Sequence, residues 1–392
     1  TASSSNFLRG DGSWANAGVT SDAQENTLAG TNAGDSFTGT DATKNTLIGY
    51  DAASAITTGD ENTAVGGKAL PGVTDGTHNV AIGYGTLYQN SGSSNTAVGT
   101  RSLLSQTGAS RNTAVGAYAG TACSSGQDLA ALGYYALAAN TTGTKNTAVG
   151  RDALVANTTA SENIAIGYEA GKAITTLGRN TIMGHTAASA GNCENTVAIG
   201  YEAGKSLTGA ANVAIGYGAM YDSTSGTSNV AVGLYAGQNL ASGDYNVALG
   251  CQAVQYGQNK DYNIGIGVRA VRSTTGNYNI GIGSESMRGT SDTPSGEKNT
   301  YVGNNNTTCS LTSGSNNSCL GYNVGQSITT GSNNIVLGSE AEPSSATVSN
   351  EITIGDTAIT KFRVPGLNFS IKDSTATNDY VLTVDANGDA GW

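Results

Sequence analysis

Asn62-Thr-Ala-Val-Gly66, Asn79-Val-Ala-Ile-Gly83, Asn95-Thr-Ala-Val-Gly99 and Asn112-Thr-Ala-Val-Gly116 are copies of one phrase, set 16 or 17 residues apart. The phrase is still present at Asn334-Ile-Val-Leu-Gly338. Indexed by its closing glycine it recurs from Gly30 to Gly355, mostly at steps of 16 or 17, with 19 at the start and 20 and 18 after Gly283. The longer steps fit turn insertions such as Thr290–Gly296, which carries Pro294. A fixed period of this size is the signature of a solenoid, in which each repeat is one rung stacked on the last. The expected fold is therefore all-β: a parallel β-roll of about twenty 16–17-residue rungs.

Within the phrase the second and fourth positions are Thr, Val, Ile or Leu in most copies, and the third is almost always Ala or Gly. Alternation with period two is a strand signature and places the large aliphatic side chains on one face and the small ones on the other. Three residues after the glycine, Ala recurs at Ala136, Ala153, Ala170, Ala187 and Ala203, followed by Leu, Gly, Val or Met and a polar turn such as Asn140–Gly143. This second apolar stretch is read as a second strand, so that a rung runs strand, glycine bend, strand, polar turn. Rungs about 4.8 Å apart make a rod of roughly 95 Å. The Asn of the phrase either forms a hydrogen-bonded amide ladder along the stack or simply suits the turn. Small residues inside leave the aliphatic column outside, and a long apolar stripe calls for burial. Three rolls around one axis, as a homotrimer, would supply it.

Gly accounts for 56 of 392 residues and charged residues for only 12%, and the 4 Pro exclude collagen. A dilute net charge of −11 argues against nucleic-acid or anionic-membrane partners. No apolar run is long enough for membrane insertion. The chain begins at Thr1 without a signal-peptide pattern, which suggests processing or a longer polypeptide. Cys123, Cys193, Cys251, Cys309 and Cys319 form no CxxC pair and are expected as small fillers, with a Cys309–Cys319 bridge as the alternative. No metal site, cofactor or catalytic residue is expected, and the chain is read as a non-enzyme. His78 and His185 sit in separate rungs, and no nucleophile elbow, P-loop or HExxH occurs. Asp385–Asp389 reads as a tight turn in preference to a calcium loop, and Arg9-Gly10-Asp11 as part of a terminal phrase in preference to an integrin ligand.

The candidate ligand-binding residues are tyrosines that follow the closing glycine: Tyr50, Tyr84, Tyr134, Tyr168, Tyr201, Tyr217 and Tyr322. Stacked rungs would align them in a column able to bind sugar rings; the plainer reading is a structural column along the roll edge. An ice-binding Thr array fits less well, because the Thr positions alternate with Val and Ile.

The tandem rungs Asn62–Gly66, Asn146–Gly150 and Asn163-Ile-Ala-Ile-Gly167, with Ala three residues on, resemble the head repeats of YadA-like trimeric adhesins. That resemblance covers roughly residues 22–360. It implies a left-handed parallel β-roll with three chains around one axis. The period here is longer than that family's rung, and no heptad stalk is recognisable. Asn6-Phe-Leu-Arg-Gly-Asp-Gly-Ser-Trp14 resembles a phrase of bacteriophage tail fibres, loosely echoed at Tyr380–Trp392, and Lys361–Gly366 is similar to segments that follow such rolls. Trp14 and Trp392 are expected to cap the stack. The expected division is 1–21 as an N-terminal cap or joint, 22–356 as the repetitive roll, and 357–392 as a C-terminal cap or connector. The resemblances imply a structural and adhesive fibre protein of the virion, acting outside the cell: a shaft or receptor-binding section of a tail fibre. Its partners would be itself, other fibre or baseplate proteins, and a host surface glycan or protein. The alternatives are the head of a bacterial trimeric adhesin, an antifreeze-type monomeric solenoid and a polysaccharide-degrading fibre enzyme.

Overall fold

The structure, a computed structural model, describes residues 6–8, 14–16, 20–37, 41–89, 92–273, 276–289, 295–304, 310–360, 383–384 and 390–391. Pro294, Cys309, Trp392 and the segments 9–11, 361–366 and 385–389 lie outside them. Residues 1–355 form one unit and 356–392 a second. In the second, Thr383–Val384 pairs antiparallel with Ala390–Gly391. The first opens with an antiparallel pair, Asn6–Leu8 with Trp14–Asn16.

The first unit is a parallel β-solenoid. Twenty three-residue strands, from Thr27–Ala29 to Ile352–Ile354, each coincide with the three residues before a closing glycine. Every strand pairs in parallel and in matching register with the strands of the neighbouring rungs; Thr63, Ala64 and Val65 stand opposite Val80, Ala81 and Ile82. The ladder is open: it starts where Thr20–Ser21 pairs antiparallel with Thr27–Leu28 and ends at Ile352–Ile354. No helix occurs among the described residues.

The second apolar stretch is not a strand, contrary to the sequence expectation. It is a run of turns in which the second and fourth residues after the glycine take left-handed φ angles, as in Asp152 (57°) and Leu154 (49°). Left-handed backbone costs a non-glycine residue of order 1–2 kcal/mol. Here it turns successive N–H groups along the stack, where each finds a carbonyl. Asp152 N–H donates to Tyr134 O on one side (2.9 Å) and Leu154 N–H to Ala170 O on the other (3.0 Å). Even Val254 and Val271, whose β-branching makes this conformation unfavourable, are left-handed and bonded to the next rung, at 2.9 and 3.0 Å.

The Asn of the phrase forms the amide ladder. Asn229 is buried; its Oδ1 accepts the backbone N–H (2.8 Å) and the Nδ2 (3.0 Å) of Asn246, and its own Nδ2 donates to Asn212 Oδ1 (3.2 Å) and Gly243 O (2.7 Å). The pattern repeats from Asn26 to Asn334, interrupted where Leu129 and Thr196 replace the Asn. At those rungs the preceding Asn still accepts the backbone N–H, at 3.0 Å in both cases.

The closing glycine is required by a close approach. At Gly167 φ is +139°, and a Cβ would lie 2.3 Å from the carbonyl oxygen of Gly184 in the next rung. The same backbone-on-backbone contact repeats from Gly30 to Gly321, so no side chain fits at that point of those rungs.

Inside, a single column of buried apolar side chains fills the roll, with Ala165 and Ala170 typical of its walls. Its volume is conserved by exchange between two positions, four and seven residues after the glycine. Where the fourth is Gly, the seventh is usually large: Gly171 with Ile174, Gly204 with Leu207, Gly237 with Leu240 and Gly325 with Ile328, Gly120 with Cys123 being an exception. Where the fourth is large, the seventh is usually small or polar: Leu137 with Asn140, Leu154 with Asn157, Met220 with Ser223. A Cβ on Gly204 would lie 2.7 Å from Leu207 Cδ1, so both positions draw on the same space. Close packing tolerates neither a void nor an excess there.

Asn229→Ala leaves the Asn246 N–H buried without its acceptor. It is expected to lower rung stability by about 2 kcal/mol, read as faster amide exchange at residues 213–247. Gly204→Met alone is expected to cost about 1–3 kcal/mol through overpacking. Combined with Leu207→Ser it reproduces the Met220/Ser223 pairing, and thermal melting should recover most of that loss.

Candidate functional site

The outward side chains form columns whose members lie one rung apart. Residues at the fourth phrase position are apolar in all twenty rungs, and Ile82, Val115, Leu132, Met183, Ile282 and Leu320 are exposed. Ile166 is 36% exposed although its strand neighbour Ala165 is fully buried, which supports the face assignment read from the sequence. The second phrase position is mostly Thr before residue 190 and Val or Ile from Val197 to Ile280, so the apolar stripe widens along the stack.

The residue after the closing glycine forms the column that holds the candidate tyrosines. Tyr134, Arg151, Tyr168, His185, Tyr201 and Tyr217 occupy six successive rungs and stack continuously. The Arg151 guanidinium lies 5.9 Å from the Tyr134 ring centroid and 5.7 Å from that of Tyr168. Ring centroids are 4.9 Å apart for Tyr168 and His185, 5.2 Å for His185 and Tyr201, and 5.0 Å for Tyr201 and Tyr217. Stacking turns these ring faces toward one another. The column thus brings together Tyr134, Tyr168, Tyr201 and Tyr217. Gly67 separates Tyr50 from Tyr84, while Leu234, Cys251, Val268, Ser284 and Asn304 separate Tyr322 from Tyr217.

A second column, immediately before the Asn, escaped the sequence reading. Its residues are left-handed and mostly exposed, and charges pair between rungs: Lys44 with Glu61 (3.7 Å), Arg111 with Asp128 (2.6 Å) and Lys145 with Glu162 (3.6 Å), while His78 Nε2 lies 2.9 Å from Glu61 Oε2. The ion pair lowers the pKa of Asp128 and raises that of Arg111, in each case first through their shared hydrogen bond. Further along, Tyr245, Tyr262 and Tyr278 stack at 5.0 and 4.9 Å. The signal was present at a constant register, since each of these residues directly precedes the first position of the phrase, an Asn in every case except Leu129 after Asp128.

One interruption of the columns makes a cleft. At the second position after the closing glycine the successive residues are Asp51, Lys68, Gly85, Arg101 and Tyr118. Gly85 supplies no side chain, and the space above it becomes a surface cleft of about 350 Å³ lined by Lys68, Tyr84, Tyr88, Gln89, Arg101 and Leu104 among others. A second hollow, of about 530 Å³, adjoins it across Lys68, Tyr88 and Gln89 and reaches Asp51. Among the described residues neither Lys68 nor Arg101 takes part in an ion pair, whereas Lys205 is bound by Glu202 (2.8 Å) and Tyr221 (3.1 Å) and Arg269 by Glu285 (3.0 Å). Among the described residues Tyr84, at 53% exposed, and Tyr88 take part in no ring stacking. Sequence reasoning found Tyr84 but not Lys68, Gly85, Tyr88 or Arg101, because a missing side chain matters only once its neighbours in the adjacent rungs are known.

Among the described residues no three of His, Cys, Asp and Glu are grouped to hold a metal ion. Cys123 and Cys193 are buried and unbridged, and Cys319 is buried. Burial pushes the thiols of Cys123 and Cys193 up to about 11. Comparison with protein-family models yields no match, and comparison with curated proteins yields none.

Because the thiolate is the reactive form, Cys251, which is only half-buried, is expected to react with a disulfide reagent at pH 8 before Cys123 and Cys193. Peptide mapping of the modified chain checks this order.

Proposed function

We propose that this chain is a structural and adhesive section of a homotrimeric fibre, a shaft or receptor-binding part of a bacteriophage tail fibre that presents contacts to a host cell surface. The observation that carries this reading is the unbroken apolar column on the outside of a thin single-chain roll. Exposed apolar stripes of that length mark association surfaces, and a parallel stack that buries one column against its own kind suits closed rotational symmetry about the stack axis. The phage assignment rests further on the terminal phrases of the sequence. A fibre of this kind works by multivalency: rigid rungs repeat weak contacts at constant spacing, so that many engage together.

Light scattering on the purified chain is expected to give three times the chain mass of 39.2 kDa. Ile166→Asp with Ile215→Asp places two charges on the outer face without touching the interior. The variant is expected to keep its β-sheet circular dichroism while its mass falls to that of one chain, because a charge at an apolar interface is strongly disfavoured. A wild-type chain of single mass would remove the trimer from this reading.

A further inference from the structure

We propose that the cleft over Gly85 binds an acidic sugar unit of a surface saccharide, held between Lys68 and Arg101. The proposal rests on the adhesive reading above and gives it a ligand class. In a chain of net charge −11, two unpaired cations converge on one hollow. Other basic side chains of the ladder lie against carboxylates, as in Lys44–Glu61, Arg111–Asp128 and Arg179–Glu194. Among the described residues Lys260, Lys298 and Arg272 also lack ion pairs, Arg272 lying against Gln255 and Tyr256, but none of the three lines either hollow. Asp51, the carboxylate at the far end of the adjoining hollow, already accepts a hydrogen bond from Asn32 Nδ2 at 2.8 Å.

Geometry favours a saccharide. Lys68 and Arg101 sit two rungs apart, about 10 Å along the stack from the strand spacing, so their long side chains bracket one sugar from both ends. Arg offers a planar fork matched to a carboxylate, and Lys a mobile point charge. Tyr84 and Tyr88 keep ring faces that the stacked tyrosines have used up, and such faces pack against sugar C–H groups while the hydroxyl end remains polar. The Gln89 amide both donates and accepts, as sugar hydroxyls require. An acidic peptide fits less well. Peptide strands are captured through free backbone groups, yet the N–H groups of Lys68, Gly85 and Arg101 are already bonded to Tyr50, Gly67 and Tyr84.

Gly85 also provides the decisive variant. A Cβ there would lie 3.8 Å from Arg101 Cγ and 3.9 Å from Leu104 Cδ1, which is ordinary contact. Its left-handed φ of +65° is shared by Lys68 and Arg101 at the same position of their rungs. Gly85→Glu therefore supplies an internal carboxylate to both cations and occupies the anion position within an intact roll.

The test measures binding of tetragalacturonate, maltotetraose and a tetraglutamate peptide to the full chain by titration calorimetry. Circular dichroism and melting confirm that each variant is folded. Wild type is expected to bind tetragalacturonate in preference to the neutral sugar. Lys68→Met with Arg101→Met, and separately Gly85→Glu, should weaken that binding at least about tenfold, while Lys260→Met with Lys298→Met, equal in charge change, alters it by less than about twofold. Equal loss in the control variant shows a net-charge effect and overturns the proposal. So does equal binding of maltotetraose, stronger binding of tetraglutamate, or no binding of tetragalacturonate at all. Attachment to intact bacterial cells, measured in parallel, separates the two readings: attachment that Gly85→Glu leaves unchanged removes this cleft from the adhesive function without removing the function.

Discussion

Backbone hydrogen bonds join each rung to the next at the strand and at the turns after the glycine, and the rest of the structure follows from that contact. Two inward features hold it. The closing glycines meet backbone to backbone, as Gly167 meets the Gly184 carbonyl, leaving no volume for a side chain. The Asn amides bind the Asn of the following rung through Oδ1 and the turn that leads into it through Nδ2, as Asn229 does with Asn246 and Gly243. Buried amides are costly when unpaired and favourable when fully bonded, so the ladder penalises any rung that slips. It also helps to sustain the left-handed residues that each rung needs in order to turn its N–H groups along the stack.

The interior obeys a volume rule imposed by the same contact. A rung pinned to its neighbours at the strand and at the glycine cannot widen locally. The large residue therefore enters from either the fourth or the seventh position after the glycine, as Met220 beside Ser223 or Leu207 beside Gly204. Gly265 and Gly281 follow the same logic at the strand's inner position, where an added Cβ would meet the methyl groups of Val254 and Val271 at 2.7 and 2.5 Å. The inward positions are thus determined rung by rung, while the outward ones are left to interactions along columns.

Outside, constant register converts single residues into lines. Aliphatic residues become an apolar stripe, Tyr168, His185 and Tyr201 become an aromatic stack, and Lys44 with Glu61 becomes part of a charge ladder. Exposed ion pairs of this kind contribute little to stability individually, about 0–1 kcal/mol, but opposite charges in adjacent rungs favour the observed register over a slipped one. In the fibre proposed above, a binding feature would arise where a column is broken. The missing side chain at Gly85 exposes the cations and tyrosine faces that full columns would satisfy internally.

The sequence by itself determined the solenoid, the strand positions, the twenty closing glycines and the face on which Ala165 and Ile166 lie, because these depend on local period and on a glycine that nothing can replace. The Asn ladder was legible as one of two options; the buried bonds of Asn229 decided between them. The second apolar stretch was misread, since alternating left-handed residues such as Asp152 and Leu154 leave the same small-apolar pattern as a strand. Only the tertiary structure decided which tyrosines stack and which remain open, and it alone set Lys68 and Arg101 on either side of Gly85. Those relations join residues 16 or 17 apart through the stacking of rungs, and a side chain's partner in such a stack is defined by the neighbouring rung and not by its own segment of chain.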